Sequence, residues 1–524
     1  MEESMEHEPS APMAAAFEEL TPVGFLRRAA EVFGDRTAIL DGDFTCTYAE
    51  FHTRAGQSAR LLADRGVSPG DRVAVLAPNS HLLLEAHYSV PLCGAVLVAL
   101  NTRLAAVEVA HILDHSGATV LLVDSELTEL AANAVALARS EPLVITDVEH
   151  EASLAGREPL AVPVTDERGL LSINYTSGTT GDPKGVMYHH RGAYLQALAM
   201  AYHARLAVGS VYLWTLPMFH TNGWCFPWAV TAAGATHRCL RRIDPTAIWQ
   251  AMAEGVTHFC AAPTVLAMLL AEQSAVPLEL PLETEVRVFA GGAPPWPALI
   301  AKLDAVGISV EHLYGLTETF GPAVVCIPKP EWSTEPLARR AALIARQGVT
   351  NISGHRVRVV DADGADVVAD GAHSGEIILR GNTVMLGYYR DPAATARATT
   401  ADGWFRTGDV GVMHPDGYVE IRDRIKDVII SGGENISSVE VERALTEHPE
   451  VNEAAVVGRP HPTWGEVPVA FVQVAPDSSV TVEGLIEFAR GRLAGFKIPR
   501  EIVFGALPKT STGKVQKNVL RERD

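Results

Sequence analysis

Short apolar runs punctuate the chain up to residue 292: RVAVLAP (72–78), GAVLVAL (94–100) and ATVLLVD (118–124), then THFCAAP (257–263) and VRVFAGG (286–292). Runs of this length without strict alternation suit strands buried on both faces, and the amphipathic stretches between them suit helices. The pattern predicts parallel α/β layers in two stacked lobes. From 354 to 421 the grammar changes. HRVRVVDADG, GEIILRG and GYVEIRD alternate and are separated by Asp-Gly and Pro-Asp-Gly turns, which predicts a β-rich subdomain. Beyond Arg424, Ser437 followed by Glu440 opens a helix through Leu445, Pro449 follows it, and EVPVAFVQV reads as a strand. The fold class expected is α/β, with an N-terminal domain over 1–425 and a small mobile α+β domain over 426–524, the boundary falling near Lys426.

The chain has 524 residues, too many for a single hydrophobic core, and its 47% hydrophobic, 20% charged and 6% aromatic content is that of a globular enzyme. A formal charge of −20 disfavours nucleic acid as a partner. Against that background residues 497–524 carry seven Lys/Arg and three Asp/Glu, a local excess that suits the approach of an anionic ligand. Residues 90–100 are too short to span a bilayer and are interrupted by Gly94, so a buried strand or helix is expected and no membrane span. The acidic start MEESMEHEPSAP and the RERD end carry no export, peroxisomal or retention signal, which makes the cytoplasm the expected location. Six cysteines without a C-x-x-C pair suggest core thiols, not a zinc site or a disulfide framework.

The stretch YTSGTTGDPKG (175–185) is where chemistry concentrates. Its glycines let backbone N–H groups approach a polyphosphate, flanked by the hydroxyls of Thr176, Ser177, Thr179 and Thr180, and Lys184 adds a mobile positive charge. The spacing is not that of a Walker A loop, and no G-x-G-x-x-G opens a helix.

This stretch resembles the signature of the acyl-adenylate-forming superfamily, within its acyl-CoA synthetase branch. AGGAP (290–294), YGLTET (314–319), GWFRTGDVG (403–411), DRIKD (423–427), SGGENISSVEVE (431–442) and PKTSTGKVQK (508–517) match further motifs in the family's order. The resemblance implies activation of a carboxylic acid as its AMP ester with pyrophosphate as leaving group, then transfer to coenzyme A, with ATP, Mg²⁺ and CoA as the cofactor and co-substrates. It places Thr176, Ser177, Gly178, Thr179, Thr180, Gly181 and Lys184 at the phosphates. Gly292, Ala293, Pro294, His312, Tyr314 and Gly315 would line the nucleotide, Thr317 would bind the α-phosphate and Glu318 would hold Mg²⁺. Asp409 would accept both ribose hydroxyls, with Arg424 beside it. Lys514 would reach the carboxylate and α-phosphate in the first step. A hinge at Lys426 would then rotate the small domain, withdraw Lys514 and bring in Gly432, Gly433 and Glu434 to form the tunnel for the CoA thiol arm.

PMFHTNGWCFPW (217–228) resembles the segment whose His220 and Trp224 gate the carboxylate site, which puts His220, Thr221, Asn222, Gly223 and Trp224 in an acyl pocket with Gly291, Gly292 and Tyr314. The small residues Gly291, Gly292 and Ala293 suggest a roomy pocket for a medium-chain, aromatic or polycyclic acid. Only ten residues follow Lys514, which favours a freestanding enzyme over a carrier-linked module. An oxygenase of the luciferase type, a half-reaction enzyme (an amide synthetase, or a ligase of preformed acyl-adenylate) and a non-enzymatic nucleotide-binding scaffold share the fold. Family analogy also suggests a homodimer.

Overall fold

The computed structural model describes residues 17–176, 183–273, 280–282, 284–354, 356–431, 434–475, 478–510 and 514–523. Two large sheets dominate them. The first has seven strands in the order Gly387–Tyr388, Lys184–His189, Leu170–Thr176, Val96–Ala99, Arg72–Leu76, Ala118–Val123, Leu143–Thr146; the last five run parallel and the first two antiparallel. The second has nine. Its parallel centre includes Val211–Trp214, His258–Ala261, Val286–Ala290 and Ile308–Leu316, and antiparallel strands such as Gly321–Val325 continue it at one edge. All five apolar runs named above form strands in these two sheets, at Arg72–Leu76, Val96–Ala99, Ala118–Val123, His258–Ala261 and Val286–Ala290.

The main core lies between the sheets. Tyr48, Phe51, Tyr88, Trp214, Phe226 and Trp228 are sealed there, packed by helices including Tyr48–Asp64 and His81–Leu92. The second of these is buried from Leu82 to Leu92, so it shows no polar stripe. The apolar run 90–100 therefore splits into a helix end, a turn at Gly94 (φ +78°) and the strand Val96–Ala99. Helix Tyr48–Asp64 starts where Thr47 and Glu50 cap one another's backbone N–H groups.

Four antiparallel strands, Arg356–Val360, Ser374–Arg380, Phe405–Met413 and Val419–Arg424, form the β-rich subdomain. The last sheet begins at Ile429–Ser431 and includes Glu434–Ile436, Val451–His461, Gly465–Val474 and Glu501–Phe504. It packs around a core of its own, with Ile436, Leu445, Val456, Val472 and Leu485 at its centre. Helix Ser438–Thr446 opens as expected, with Ser437 Oγ accepting the Glu440 N–H at 3.1 Å. All six cysteines are free and five are buried. Among the described residues no helix is long and apolar enough to cross a membrane.

Candidate active site

The ends of the two large sheets and the β-rich subdomain meet at one cleft. The hairpin Leu170–Thr176/Lys184–His189 sets Thr176 opposite Lys184 at the neck of the glycine-rich loop, whose Ser177, Gly178, Thr179, Thr180 and Gly181 lie outside the described residues. Lys184 Nζ stands 5.0 Å over the Tyr388 ring, and Tyr388 Oη donates to Glu318 Oε1 at 2.8 Å. Burial and the Glu318 charge push the Tyr388 phenol far up, so it stays a donor. One oxygen of Glu318 is thus fixed in direction. A carboxylate so oriented suits a magnesium ion, which takes few protein ligands and completes its shell with water and phosphate oxygens.

Thr317 and Glu318 sit in the tight turn Thr317–Thr319 at the end of strand Ile308–Leu316. Tyr188 Oη donates to the Thr317 carbonyl at 2.5 Å, and the Tyr188 ring stacks on Phe320 at 3.7 Å. Gly315 has to be glycine: a Cβ there would lie 2.0 Å from the Gly321 carbonyl oxygen. Gly292, Ala293 and Pro294 are exposed along the cleft. His312 is only 2% exposed, and its Nδ1 donates to the carbonyls of Ala345 and Arg346 at 2.9 and 3.0 Å, so it anchors the strand from behind.

At the next corner, Tyr314 Oη donates to Asp409 Oδ2 at 2.7 Å and Arg424 Nε pairs with Asp409 Oδ1 at 3.1 Å. Asp409 and Arg424 face each other across neighbouring strands, which explains their pairing from distant motifs. Lys514 enters here from the C-terminal domain. Its surface stays open along the cleft, but protein crowding around the amine, then Arg424, pull its pKa down to about 8. Among the described residues it makes no ion pair, whereas its basic neighbours Lys509, Lys517 and Arg521 hold Glu453, Glu442 and Asp427. Its charge acts on half-buried His220, whose pKa burial and then Lys514 lower to about 4, leaving a neutral imidazole at pH 7.

On the acyl side Trp224 and Gly291 are packed together. The Trp224 ring fills the space beside Gly291, where a Cβ would fall 2.5 Å from it, and Gly321 backs the same residue. Asn222 does not face an open pocket. It is fully buried and bonded to Ser172, Asn174 and His87. Gly432 and Gly433 lie outside the described residues, and Glu434 opens the strand Glu434–Ile436 that pairs with Ile429–Ser431. Lys426 links the two last sheets. Asp427, next to it, pairs with Arg521 at 2.5 Å, and buried Asp423, just before it, accepts the Ser438 N–H at 2.5 Å and the Ser438 hydroxyl at 3.0 Å. Sequence reasoning missed Tyr188, Tyr388 and Asp423, because each acts through a residue far along the chain. The tyrosine pair in GYYR (387–390) was the one local signal.

A large α/β body whose cleft takes a lysine from a small appended domain defines an adenylate-forming enzyme. The family model of the AMP-binding enzymes matches residues 26–389 and that of their C-terminal domain residues 440–514, so the chain belongs to the AMP-binding enzyme family. It is 44% identical to a 2-methylpropanoate–CoA ligase of Humulus lupulus over 98% of this chain and 96% of that one. It is 43% identical to a peroxisomal acetate/butyrate–CoA ligase of Arabidopsis thaliana over 97% and 95%. ATP-bound MatB from Rhodopseudomonas palustris shares its fold at TM-score 0.84 and 28% identity, covering 95% of this chain and 98% of that one; apo MatB gives 0.75 over the same shares.

Proposed function

We propose that the chain is an ATP-dependent acid–thiol ligase for a short aliphatic carboxylic acid, with coenzyme A as acceptor. The observation that carries this reading is the meeting of Lys514 with His220, Asp409 and Arg424 in one cleft. In the first step a carboxylate oxygen attacks the α-phosphorus of ATP and pyrophosphate leaves. The Lys514 ammonium offsets charge gathering on the α-phosphate and carboxylate. Thr317 and Lys184 hold phosphate oxygens, Asp409 and Arg424 hold the ribose, and Tyr314 packs between base and acyl group. Glu318 would hold a magnesium ion, which when bound would supply charge neutralisation for the pyrophosphate. Neutral His220 adds no second cation beside Lys514, and with Trp224 it gates the carboxylate. In the second step the small domain turns about Lys426 and the CoA sulfur attacks the acyl carbonyl carbon through a tunnel at Gly432, Gly433 and Glu434. AMP leaves.

The choice of a short acid is supported by the Trp224 ring lying against Gly291 and by the relatives named for acetate, butyrate and 2-methylpropanoate. Six free thiols fit a reducing compartment such as the cytoplasm, although one relative is named peroxisomal. The test is mass spectrometry of products from the purified protein with ATP, Mg²⁺, CoA and pooled acids from acetate to decanoate plus benzoate. Short acyl-CoA with matching AMP is expected, and Trp224→Ala should move the preference to longer acids. Free acyl-adenylate without thioester would point to an acceptor other than CoA. Thioesters of long or aromatic acids alone would contradict the size argument.

A further inference from the structure

Five consecutive residues after His220 lie in the left-handed region: Thr221 (φ +50°), Asn222 (+38°), Gly223 (+51°), Trp224 (+52°) and Cys225 (+66°). Glycine takes this conformation without strain and asparagine tolerates it; a β-branched threonine and a bulky tryptophan do not. Such a run persists only where its surroundings over-determine it. The turn closes on itself through Gly223 N–H to the His220 carbonyl at 2.8 Å and Cys225 N–H to the Asn222 carbonyl at 3.0 Å.

From outside, Thr221 Oγ1 meets Thr317 Oγ1 at 3.4 Å, and the densest set of bonds is made by Asn222. Asn222 N–H donates to Asn174 Oδ1 at 2.9 Å, and its Oδ1 accepts from Ser172 Oγ at 2.7 Å and from Asn174 Nδ2. Its Nδ2 donates to His87 Nε2 at 3.0 Å. The direction of that last bond is determined. His87 Nδ1 lies 2.7 Å from the Leu83 carbonyl and must donate to it, so in the neutral ring Nε2 accepts. Burial keeps His87 neutral by lowering its pKa to about 4. Every polar group of Asn222 named here is satisfied, with strand Leu170–Thr176 on one side and helix His81–Leu92 on the other. Those are the strand that leads into the glycine-rich loop and the core helix between the sheets. His220 immediately precedes the clamped turn and Trp224 is its fourth residue.

We propose that Asn222 is a positioning residue for acid activation: clamped by Ser172, Asn174 and His87, it holds the left-handed turn that sets His220 and Trp224 around the acid. The inference rests on the ligase reading above. Its mark is a donor–acceptor polarity that a space-filling role lacks. Asn222→Asp keeps shape and both accepted bonds but turns an acceptor toward His87 Nε2. His87→Gln offers an amide that can present either its oxygen or its NH₂, so it should pair with asparagine or aspartate.

The experiment measures steady-state kinetics for butyrate, octanoate and ATP in wild type, Asn222→Asp, His87→Gln and the double variant. The expected result for Asn222→Asp is a KM for butyrate raised about tenfold, since small misplacements near the reacting group are costly. The preference for butyrate over octanoate should shrink and the KM for ATP stay within about twofold. His87→Gln alone should lose less butyrate affinity than Asn222→Asp, and the double variant should regain most of the butyrate affinity and selectivity that Asn222→Asp loses. Should Asn222→Asp not accumulate as folded protein, Ser172→Ala, which removes one accepted bond, should give the same split in milder form. Unchanged butyrate KM and selectivity in the folded variants would overturn the proposal. So would equal losses for acid and ATP without recovery in the double variant. A wild type without acid-dependent product would overturn the ligase reading and this inference together.

Discussion

Lys514 carries a charge that its surroundings make costly to keep. Crowding and Arg424 bring its pKa to about 8, well below an ordinary lysine. The sign of the effect on rate follows from the role assigned to it. Below that value the ammonium is present and attracts the α-phosphate; as pH rises through about 8 the free enzyme loses it. We therefore expect kcat/KM for acid-dependent ATP–pyrophosphate exchange to fall through that range. Lys514→Arg keeps a cation, so its profile should lose the alkaline limb at a lower overall rate. A wild-type profile that stays flat well above pH 8 would remove Lys514 as the titrating group. Lys514, Asp409 and Glu318 were singled out in the sequence because each sits in an ordered motif. Tyr388 and Asn174 were not, because Tyr388 meets Glu318 and Asn174 meets Asn222 only after the sheets assemble.

Helices Tyr48–Asp64, His81–Leu92 and Asp147–Leu154 are pinned together by ions, away from the cleft. Arg54 forks onto both oxygens of Glu85, which is 1% exposed, and onto Glu151. Glu151 also faces His81, and His81 pairs with Asp41 at 2.7 Å. Removing the guanidinium would strand a buried carboxylate, so Arg54→Ala should destabilise the fold by about 3–5 kcal/mol in denaturant unfolding. Glu85→Gln alongside it should restore part of that loss. A cost below about 1 kcal/mol would show the pair to be no better than a surface ion pair. Element type was readable where burial leaves a pattern, as in the parallel strands. Helix His81–Leu92 resisted reading because burial on all sides erases its polar stripe. The left-handed turn at 221–225 resisted for another reason: threonine and tryptophan signal against positive φ, and buried contacts, those of Asn222 foremost, overrule that preference.

The two domains of the proposed ligase meet in one arrangement, with Lys514 in the cleft and Asp423 bonded to the start of helix Ser438–Thr446. The rotation proposed about Lys426 would break those bonds along with the approach of Lys514. The motif order made the two-domain plan legible; the packing of Trp224 on Gly291 was not, because they come from segments that only the fold brings together. The central claim is that Lys514 serves the first half-reaction alone. The most direct test compares Lys514→Ala with wild type in two assays: butyrate-dependent ATP–pyrophosphate exchange, and thioester formation from synthetic butyryl-adenylate and CoA. The account predicts exchange reduced about 10²–10³-fold, the cost typical of losing one charge-stabilising contact, with thioester formation largely retained. Equal loss in both assays would contradict it.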